Sequence, residues 1–319
     1  MPCRVSSLGE FQHYVKAITG LERRYHSNGR QLYYRTMQPR CLSILGVGLL
    51  GGSIGLAVRQ RIKGCKVVGY AHRLATLEAA IRLGAVDEAY EQPQPAVRDA
   101  DLVILCTPVG MLGSLLKDIA GNLAPGAIVT DVGSTKESLV EAAGQALPDK
   151  VHFVGSHPMA GSEKRGVEFA RADLFDGAVC ITTPTPRTNP DALEKVEAFW
   201  HVLGMRTTRL SPPVHDQLLA DVSHLPHAIA AALVSLQQDA ALKLCGKGFA
   251  DLTRIAAGDP GLWRDILLDN RQNVRSSIDR LIMELGKVSR LLEPGASGEL
   301  EQWLANASQR RQSLKGGIS

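Results

Sequence analysis

A glycine-rich turn between an apolar strand and a helical segment constrains the fold more than any other feature of this chain. The run ILGVGLLGGSIGLAV places Gly46, Gly48 and Gly51 in a G-x-G-x-x-G pattern, in the strand–turn–helix context that the dinucleotide-binding fingerprint requires. Gly46 permits a tight turn, Gly48 lets the backbone approach a pyrophosphate, and Gly51 lets the helix pack closely on its strand. We therefore expect a dinucleotide at the amino end of this helix, although glycines that merely tighten a turn produce the same pattern.

The rest of the chain divides into two kinds of sequence. From Cys41 onward, short Val- and Ile-rich runs such as KVVGYA, DLVILCT and AIVTDVG alternate with helical patterns, which predicts a mostly parallel, doubly wound Rossmann-like α/β sheet. After Pro212 and Pro213 only helix-length segments occur, and runs such as AIAAALVSL are too apolar to stay uncovered in a monomer. We predict a dinucleotide-binding domain over 41–210 and a helical substrate and dimerisation domain over 211–319.

Charge and composition exclude several classes of protein. Residues 1–40 carry 7 Lys and Arg against 2 Glu, whereas the whole chain has a net charge of +4, so the remainder is nearly neutral. This favours a small-molecule substrate over a nucleic acid. We expect no run long and apolar enough for a membrane span, which predicts a cytoplasmic protein. The first segment differs in composition from the rest of the chain, and we interpret it as a disordered extension or as an over-long gene start with Met37 as the true beginning.

The end of the second predicted strand bears on the choice of cofactor. An NAD site normally places an Asp or Glu there to bind the ribose hydroxyls, but VVGYAHR has Ala71 in that place, followed by His72 and Arg73. Cationic side chains suit a 2′-phosphate, so NADP is favoured over NAD. The other candidate cofactor contacts are Leu49 and Leu50 in the glycine-rich turn and Thr107 and Pro108 after DLVILC.

Two polar residues come after strands of the predicted sheet and should meet at its carboxyl edge, where ligands bind in open α/β folds. His157 lies in GSHPMAGSEKRG, which we interpret as a loop leaving a strand. Ser134 comes after AIVTDVG and stands three residues before Glu137, a capping-box spacing that makes it a predicted helix N-cap.

The helical half offers further candidates. DVSHLPHAIAAAL places His224 and His227 one turn apart, with Pro226 disturbing the helix between them. No Cys or carboxylate pattern accompanies them, so we predict histidines facing a cleft and no metal site. Arg254 stands in an apolar stretch and should face either Asp251 or a substrate carboxylate. The next helix should have Asp259 as N-cap and Pro260 at its first position.

Five stretches, GVGLLGGS, DVGSTK, GSHPMAGSEKRGVEFA, SHLPHAIA and DLTRIAAGDPGLWRDI, occur in an order and with a spacing that closely resemble the prephenate/arogenate dehydrogenases of tyrosine biosynthesis. The resemblance spans about Leu42 to Leu292. It implies oxidative decarboxylation of a cyclohexadienyl substrate, with hydride transfer to NAD(P), and a homodimer. We expect the chain to lack the regulatory ACT domain that some relatives append.

The resemblance also implies residue roles. His157 would be the base, with Ser134 holding its tautomer, while Arg254 would bind a substrate carboxylate and His224 would donate to the substrate or close the cleft. No residue decides between prephenate and arogenate. The alternatives are another two-domain β-hydroxyacid dehydrogenase or imine reductase, and a non-catalytic NADP-binding redox sensor. The first commonly uses a lysine on the first long helix of its second domain, where this chain has His215, Asp216, His224 and His227.

Overall fold

A computed structural model describes residues 38–161 and 164–314. Residues 1–37, interpreted from the sequence as a disordered extension or an over-long gene start, therefore lie outside the described residues.

The first part of the chain forms an eight-stranded sheet in the order β3-β2-β1-β4-β5-β6-β7-β8. Neighbouring strands are parallel except for β6 and β7, so the predicted mostly parallel, Rossmann-like sheet is confirmed. Two clusters of buried apolar side chains, one on each face, form its core. The strands are β1 (Cys41–Leu45), β2 (Lys66–Tyr70), β3 (Glu88–Tyr90), β4 (Leu102–Leu105), β5 (Ile128–Asp131), β6 (His152–Pro158), β7 (Val179–Thr183) and β8 (Arg206–Arg209).

Helices connect the strands and cover the sheet. The strand order reverses direction between β1 and β4, and open α/β sheets bind ligands at the carboxyl ends of the strands at such a switch point. The helices are α1 (Leu49–Arg61), α2 (Leu74–Arg82), α3 (Pro93–Val97), α4 (Val109–Ile119), α5 (Glu137–Ala146) and α6 (Pro190–Val202), with short 3-10 helices at Ala120–Asn122 and Val167–Phe169.

The remaining described residues are helical, which confirms the predicted second part of the fold. Its elements are α7 (Pro212–Leu219), a π-helix (Ala220–His224), α8 (Leu225–Ser235), α9 (Asp239–Leu242), α10 (Lys247–Thr253), a 3-10 helix (Arg254–Ala257), α11 (Pro260–Asp269), α12 (Arg271–Leu291) and α13 (Ser297–Ser313).

The run Pro212–Ser235 departs from one expectation. By length and composition alone it could cross a membrane, so the expectation that no such run exists is wrong. Its buried His215 and Asp216 bond to the sheet-bearing part of the protein, which is how a core helix behaves. Pro226 cannot donate a backbone hydrogen bond, and the π-helix directly precedes the turn that contains it.

Candidate functional site

The glycine-rich turn has the geometry of a pyrophosphate cradle. Gly46 adopts a φ of +113°, and a Cβ there would lie 2.7 Å from the carbonyl of Cys106, so this position needs glycine for both reasons. A Cβ at Gly51 would lie 2.3 Å from the Gly46 oxygen, whereas a Cβ at Gly48 would meet nothing within 4 Å. The fold therefore requires Gly46 and Gly51, but it leaves open space beside Gly48. Leu49 and Leu50 begin α1, whose first turn has no side-chain cap.

The end of β2 lacks the acidic residue of an ordinary NAD site. Ala71 directly follows β2, and the exposed His72 and Arg73 come next. The Tyr70 hydroxyl lies 3.0 Å from Nδ1 of His72. Across the switch point, Thr107 comes after β4 and has a buried hydroxyl without a hydrogen-bond partner in the described part of the chain. Pro108 is exposed at the start of α4.

His157 lies within β6 rather than in a loop beyond it. The strand continues to Pro158 because Gly155–Pro158 pairs with β7 after the pairing with β5 has ended, so the predicted loop starts later than expected. Burial, together with nearby His215, Lys136 and His224, holds the pKa of His157 well below its usual 6.5. The imidazole is therefore neutral at neutral pH and can accept a proton.

The partner of His157 is a histidine of the helical part. Nδ1 of His157 lies 2.9 Å from Nε2 of His215, and Ser134 makes no hydrogen bond to His157.

The predicted capping box of Ser134 and Glu137 is wrong. Helix α5 begins at Glu137, after Lys136, without a side-chain cap from Ser134. Its first amides are instead bound by Asp216, whose carboxylate accepts from the N–H groups of Lys136 at 2.8 Å and Glu137 at 2.9 Å.

A buried ion pair supports the floor of this site. Lys136 and Asp131 are both fully buried and in direct contact. Nζ of Lys136 also donates to the Ser156 carbonyl at 2.9 Å. Asp131 accepts from the Ser156 N–H at 3.0 Å and from the Gly133 N–H at 2.7 Å. Because Ser156 precedes His157, the pair fixes the backbone that carries the histidine.

His224 presents a hydrogen-bond donor. The amide nitrogen of Asn270 donates to the Asp216 carbonyl at 2.7 Å and lies 3.1 Å from Nδ1 of His224. Because a carbonyl oxygen can only accept hydrogen bonds, the Asn270 atom that contacts it must be the side-chain amide nitrogen and not the amide oxygen. That nitrogen also donates to His224, so Nδ1 of His224 is an acceptor. Burial lowers the pKa of His224 to about 4, so the ring is neutral and its proton sits on Nε2. This N–H is buried and has no partner among the described residues.

His227 and Trp263 form the neighbouring wall. Their rings are stacked, with centroids 3.5 Å apart and an interplanar angle of 11°. Nδ1 of His227 is buried without a hydrogen bond to any residue that the structure describes. Trp263 also meets His224 edge-on, with centroids 6.3 Å apart. The two histidines thus share one aromatic wall, and no group of three or more metal-ligating side chains occurs within 38–161 and 164–314.

Arg254 is exposed at the start of a 3-10 helix that packs against α8, the helix that carries His227. Asp251, one of the two partners considered for Arg254 from the sequence, forms an ion pair with Lys247, at 2.7 Å. Asp259 and Pro260 start α11 as predicted, and Asp259 caps the helix through the Leu262 amide.

Sequence reasoning missed the contributions of His215, Asp216, Asn270 and Trp263. Trp263 lies within the stretch DLTRIAAGDPGLWRDI, but its stacking on His227 does not follow from that stretch. The other three residues belong to none of the five stretches, and their long-range contacts join positions 46 to 80 residues apart, as in Asn270 with His224 and Asp216 with Lys136. The proline pair before His215 was the available signal, because a helix that starts at a domain joint faces both parts of the protein.

Comparisons with known proteins agree with a nucleotide-binding part followed by a helical part. The family descriptions "Prephenate dehydrogenase, nucleotide-binding domain" and "Prephenate dehydrogenase, dimerization domain" match residues 54–209 and 211–306. A prephenate dehydrogenase of Bacillus subtilis is 34% identical over 278 residues, covering 85% of this chain and 75% of that protein.

Two solved structures are also similar. Prephenate dehydrogenase from Aquifex aeolicus, crystallised with hydroxyphenyl propionate and NAD+, has a TM-score of 0.81 and 34% identity, covering 86% of this chain and 98% of that one. Synechocystis arogenate dehydrogenase has a TM-score of 0.75 and 30% identity, covering 86% and 99%.

Proposed function

Because the chain belongs to the prephenate dehydrogenase family, we propose that it oxidatively decarboxylates prephenate or arogenate, with hydride transfer to NAD(P). The observation that carries the proposal is the neutral, buried His157 at the same sheet edge as the pyrophosphate cradle. Family membership favours this reaction over a β-hydroxyacid dehydrogenase, an imine reductase or a redox sensor. The products would be 4-hydroxyphenylpyruvate from prephenate and tyrosine from arogenate.

His157 acts as the base. When bound beside the glycine-rich turn, the cofactor would supply an oxidised nicotinamide as the acceptor of the hydride from the ring carbon bearing the hydroxyl. His157 takes the hydroxyl proton as that carbon becomes a carbonyl. The bond to the ring carboxylate then breaks, its electron pair enters the ring, carbon dioxide leaves, and the new phenol oxygen recovers the proton. Positioned acid–base catalysis of this kind contributes typically about 10²–10⁴ in rate.

Two groups from the helical part are proposed to bind the substrate. The Nε2–H of His224 is a buried donor without a partner among the described residues, and a substrate carboxylate or carbonyl oxygen would satisfy it. Arg254 would bind a second carboxylate by charge-assisted hydrogen bonds. Ser134, which follows β5, is proposed to contact the reacting hydroxyl of the substrate. It is not the residue that orients His157, because that partner is His215.

We further propose that NADP is the preferred cofactor. Ala71 leaves no carboxylate to bind the ribose hydroxyls or to repel a 2′-phosphate, and the exposed His72 and Arg73 offer donors beside it. Ala71→Asp should therefore shift the ratio of kcat/KM values toward NAD. A wild type that already prefers NAD would contradict the preference but leave the reaction intact.

The helical part, 211–319 by the predicted limits, is proposed to form a homodimer. Its apolar side chains remain substantially exposed in one chain, although buried apolar surface stabilises folded proteins. Light scattering should give twice the chain mass at micromolar concentration, and a stable monomer would refute the dimer. The most exposed of these side chains are Val222, Leu236, Leu244, Leu252, Ile282, Met283, Leu285 and Leu292.

The proposed reaction is tested by incubating the purified chain with prephenate or arogenate, each with NAD or NADP, and recording reduced nicotinamide. Turnover in any combination supports the reaction, and the best pair identifies substrate and cofactor. If folded protein that binds cofactor forms no reduced nicotinamide in any of the four combinations, the redox sensor is favoured instead. The cytoplasmic location stays a prediction.

A further inference from the structure

We infer that His215 and Asp216 fix the tautomer of His157, so that its Nε2 presents a lone pair to the substrate hydroxyl. The inference rests on the proposed function, since it assigns positioning residues to the base of that reaction. Its basis is a chain of hydrogen bonds that runs from a helix amino terminus to His157, in which each donor is determined by the one before it.

The chain of bonds starts at Asp216. Its two carboxylate oxygens accept from the backbone amides of Lys136 and Glu137, at the amino end of the ten-residue helix α5. Backbone donors and the positive end of the helix dipole both stabilise the ionised form. An ionised carboxylate can only accept hydrogen bonds.

The proton between Asp216 and His215 is therefore on the histidine. Nδ1 of His215 lies 2.7 Å from Oδ1 of Asp216, so Nδ1–H is the donor. The His215 ring has no exposed surface, and burial, the largest influence, lowers its pKa, so the ring carries this one proton. Nε2 of His215 is consequently an acceptor.

The same reasoning settles His157. Its Nδ1 lies 2.9 Å from Nε2 of His215, and because that nitrogen accepts, Nδ1 of His157 must donate. The neutral ring then has its lone pair on Nε2, which makes no hydrogen bond with any described residue. In the other tautomer Nε2 would carry a proton and could not accept one from the substrate.

The arrangement also serves the protonated state. When Nε2 of His157 accepts a proton, Nδ1–H continues to donate to His215, and the Asp216 carboxylate lies behind that ring. The other charged group near His157 is Lys136, which disfavours the imidazolium and is paired with Asp131. His224, also nearby, is neutral. The hydrogen bond from Nδ1–H of His157 to His215 is therefore kept in both protonation states of the ring.

The tautomer can be read directly in the cofactor-free chain. Full-length protein labelled with 15N-histidine should show, at neutral pH, the His157 ring protonated at Nδ1 and bare at Nε2. His157→Asn identifies the signal by its loss. A ring protonated at Nε2 would overturn the inference, whether or not the protein turns over substrate, so the outcome is independent of the proposed reaction.

A pair of substitutions tests the consequence for catalysis. His215→Phe keeps a ring of similar size but removes the acceptor, and kcat should fall about 100-fold or more, with little change in KM for cofactor. His215→Gln can offer an amide oxygen to His157 and an N–H to Asp216, so it should recover much of the loss.

An unchanged kcat in folded His215→Phe would contradict the inference, as would equal losses in both variants. If His215→Phe fails to fold, the 15N measurement on the wild type still decides. Asp216 is left unchanged, because its carboxylate also caps α5.

Discussion

A methyl group added at Gly48 separates cofactor binding from folding. Gly48 has a φ of −94°, so alanine avoids the left-handed region there, and its Cβ would meet no atom within 4 Å. We expect the free energy of unfolding of the cofactor-free Gly48→Ala chain to change by less than about 1 kcal/mol. The same methyl occupies the space into which the pyrophosphate must come. To avoid this methyl group, either the pyrophosphate or the turn must move, at a free-energy cost of about 1–3 kcal/mol. This cost raises the Kd for the dinucleotide by about 5- to 150-fold.

The matched control is Gly51→Ala, one turn of α1 away. Its Cβ would lie 2.3 Å from the Gly46 oxygen and 2.9 Å from Ile44 Cγ2, so α1 must move away from β1. We expect a loss of about 1–3 kcal/mol in unfolding free energy. Urea denaturation of the cofactor-free chains and calorimetric titration with dinucleotide measure both quantities. If Gly48→Ala is destabilised like Gly51→Ala, or binds dinucleotide normally, the cradle is wrongly placed.

Three further perturbations test the site. Lys136→Met leaves the buried Asp131 carboxylate without its cation, and the urea midpoint should drop by the equivalent of about 3–5 kcal/mol; an unchanged midpoint would show that the pair is dispensable. The folded pKa of His224 is about 4, so the unfolded chain binds more protons as pH falls from 6.5 toward 4. Wild type should therefore lose up to about 3 kcal/mol more stability over that range than His224→Gln, and parallel losses in both proteins would contradict the shift. Arg254→Gln should lower kcat/KM for the substrate by about 10- to 150-fold through a lost charged hydrogen bond and leave cofactor KM unchanged, whereas an equal effect on both would argue against a carboxylate contact.

Local signals predicted the parts of the protein that depend on neighbours in sequence. The glycine pattern predicted the turn after β1, and Asp259 with Pro260 predicted the start of α11, because each is decided within a few residues. Ser134 and Glu137 misled for the opposite reason. Their spacing satisfies the local rule, but a carboxylate about 80 residues later, Asp216, binds the first amides of α5.

The surroundings of His157 could not be predicted from the sequence. Its strand was recognisable, but the length of that strand depends on antiparallel pairing with β7. Its partner His215 reaches it only because the helical part packs against the sheet edge. Packing also determines that His224 is a buried donor, since Asn270 from the start of α12 fixes its tautomer.

We propose that His157 is the base of a dinucleotide-dependent oxidative decarboxylation. The most direct test compares the rate of reduced-nicotinamide formation by wild type and His157→Asn with the preferred substrate and cofactor. His152→Asn, on the same strand and half-buried, is the control. We expect kcat to fall by about 10²–10⁴ in His157→Asn, with unchanged dinucleotide binding, and we expect near-normal turnover by the control. Near-wild-type turnover by folded His157→Asn would contradict it.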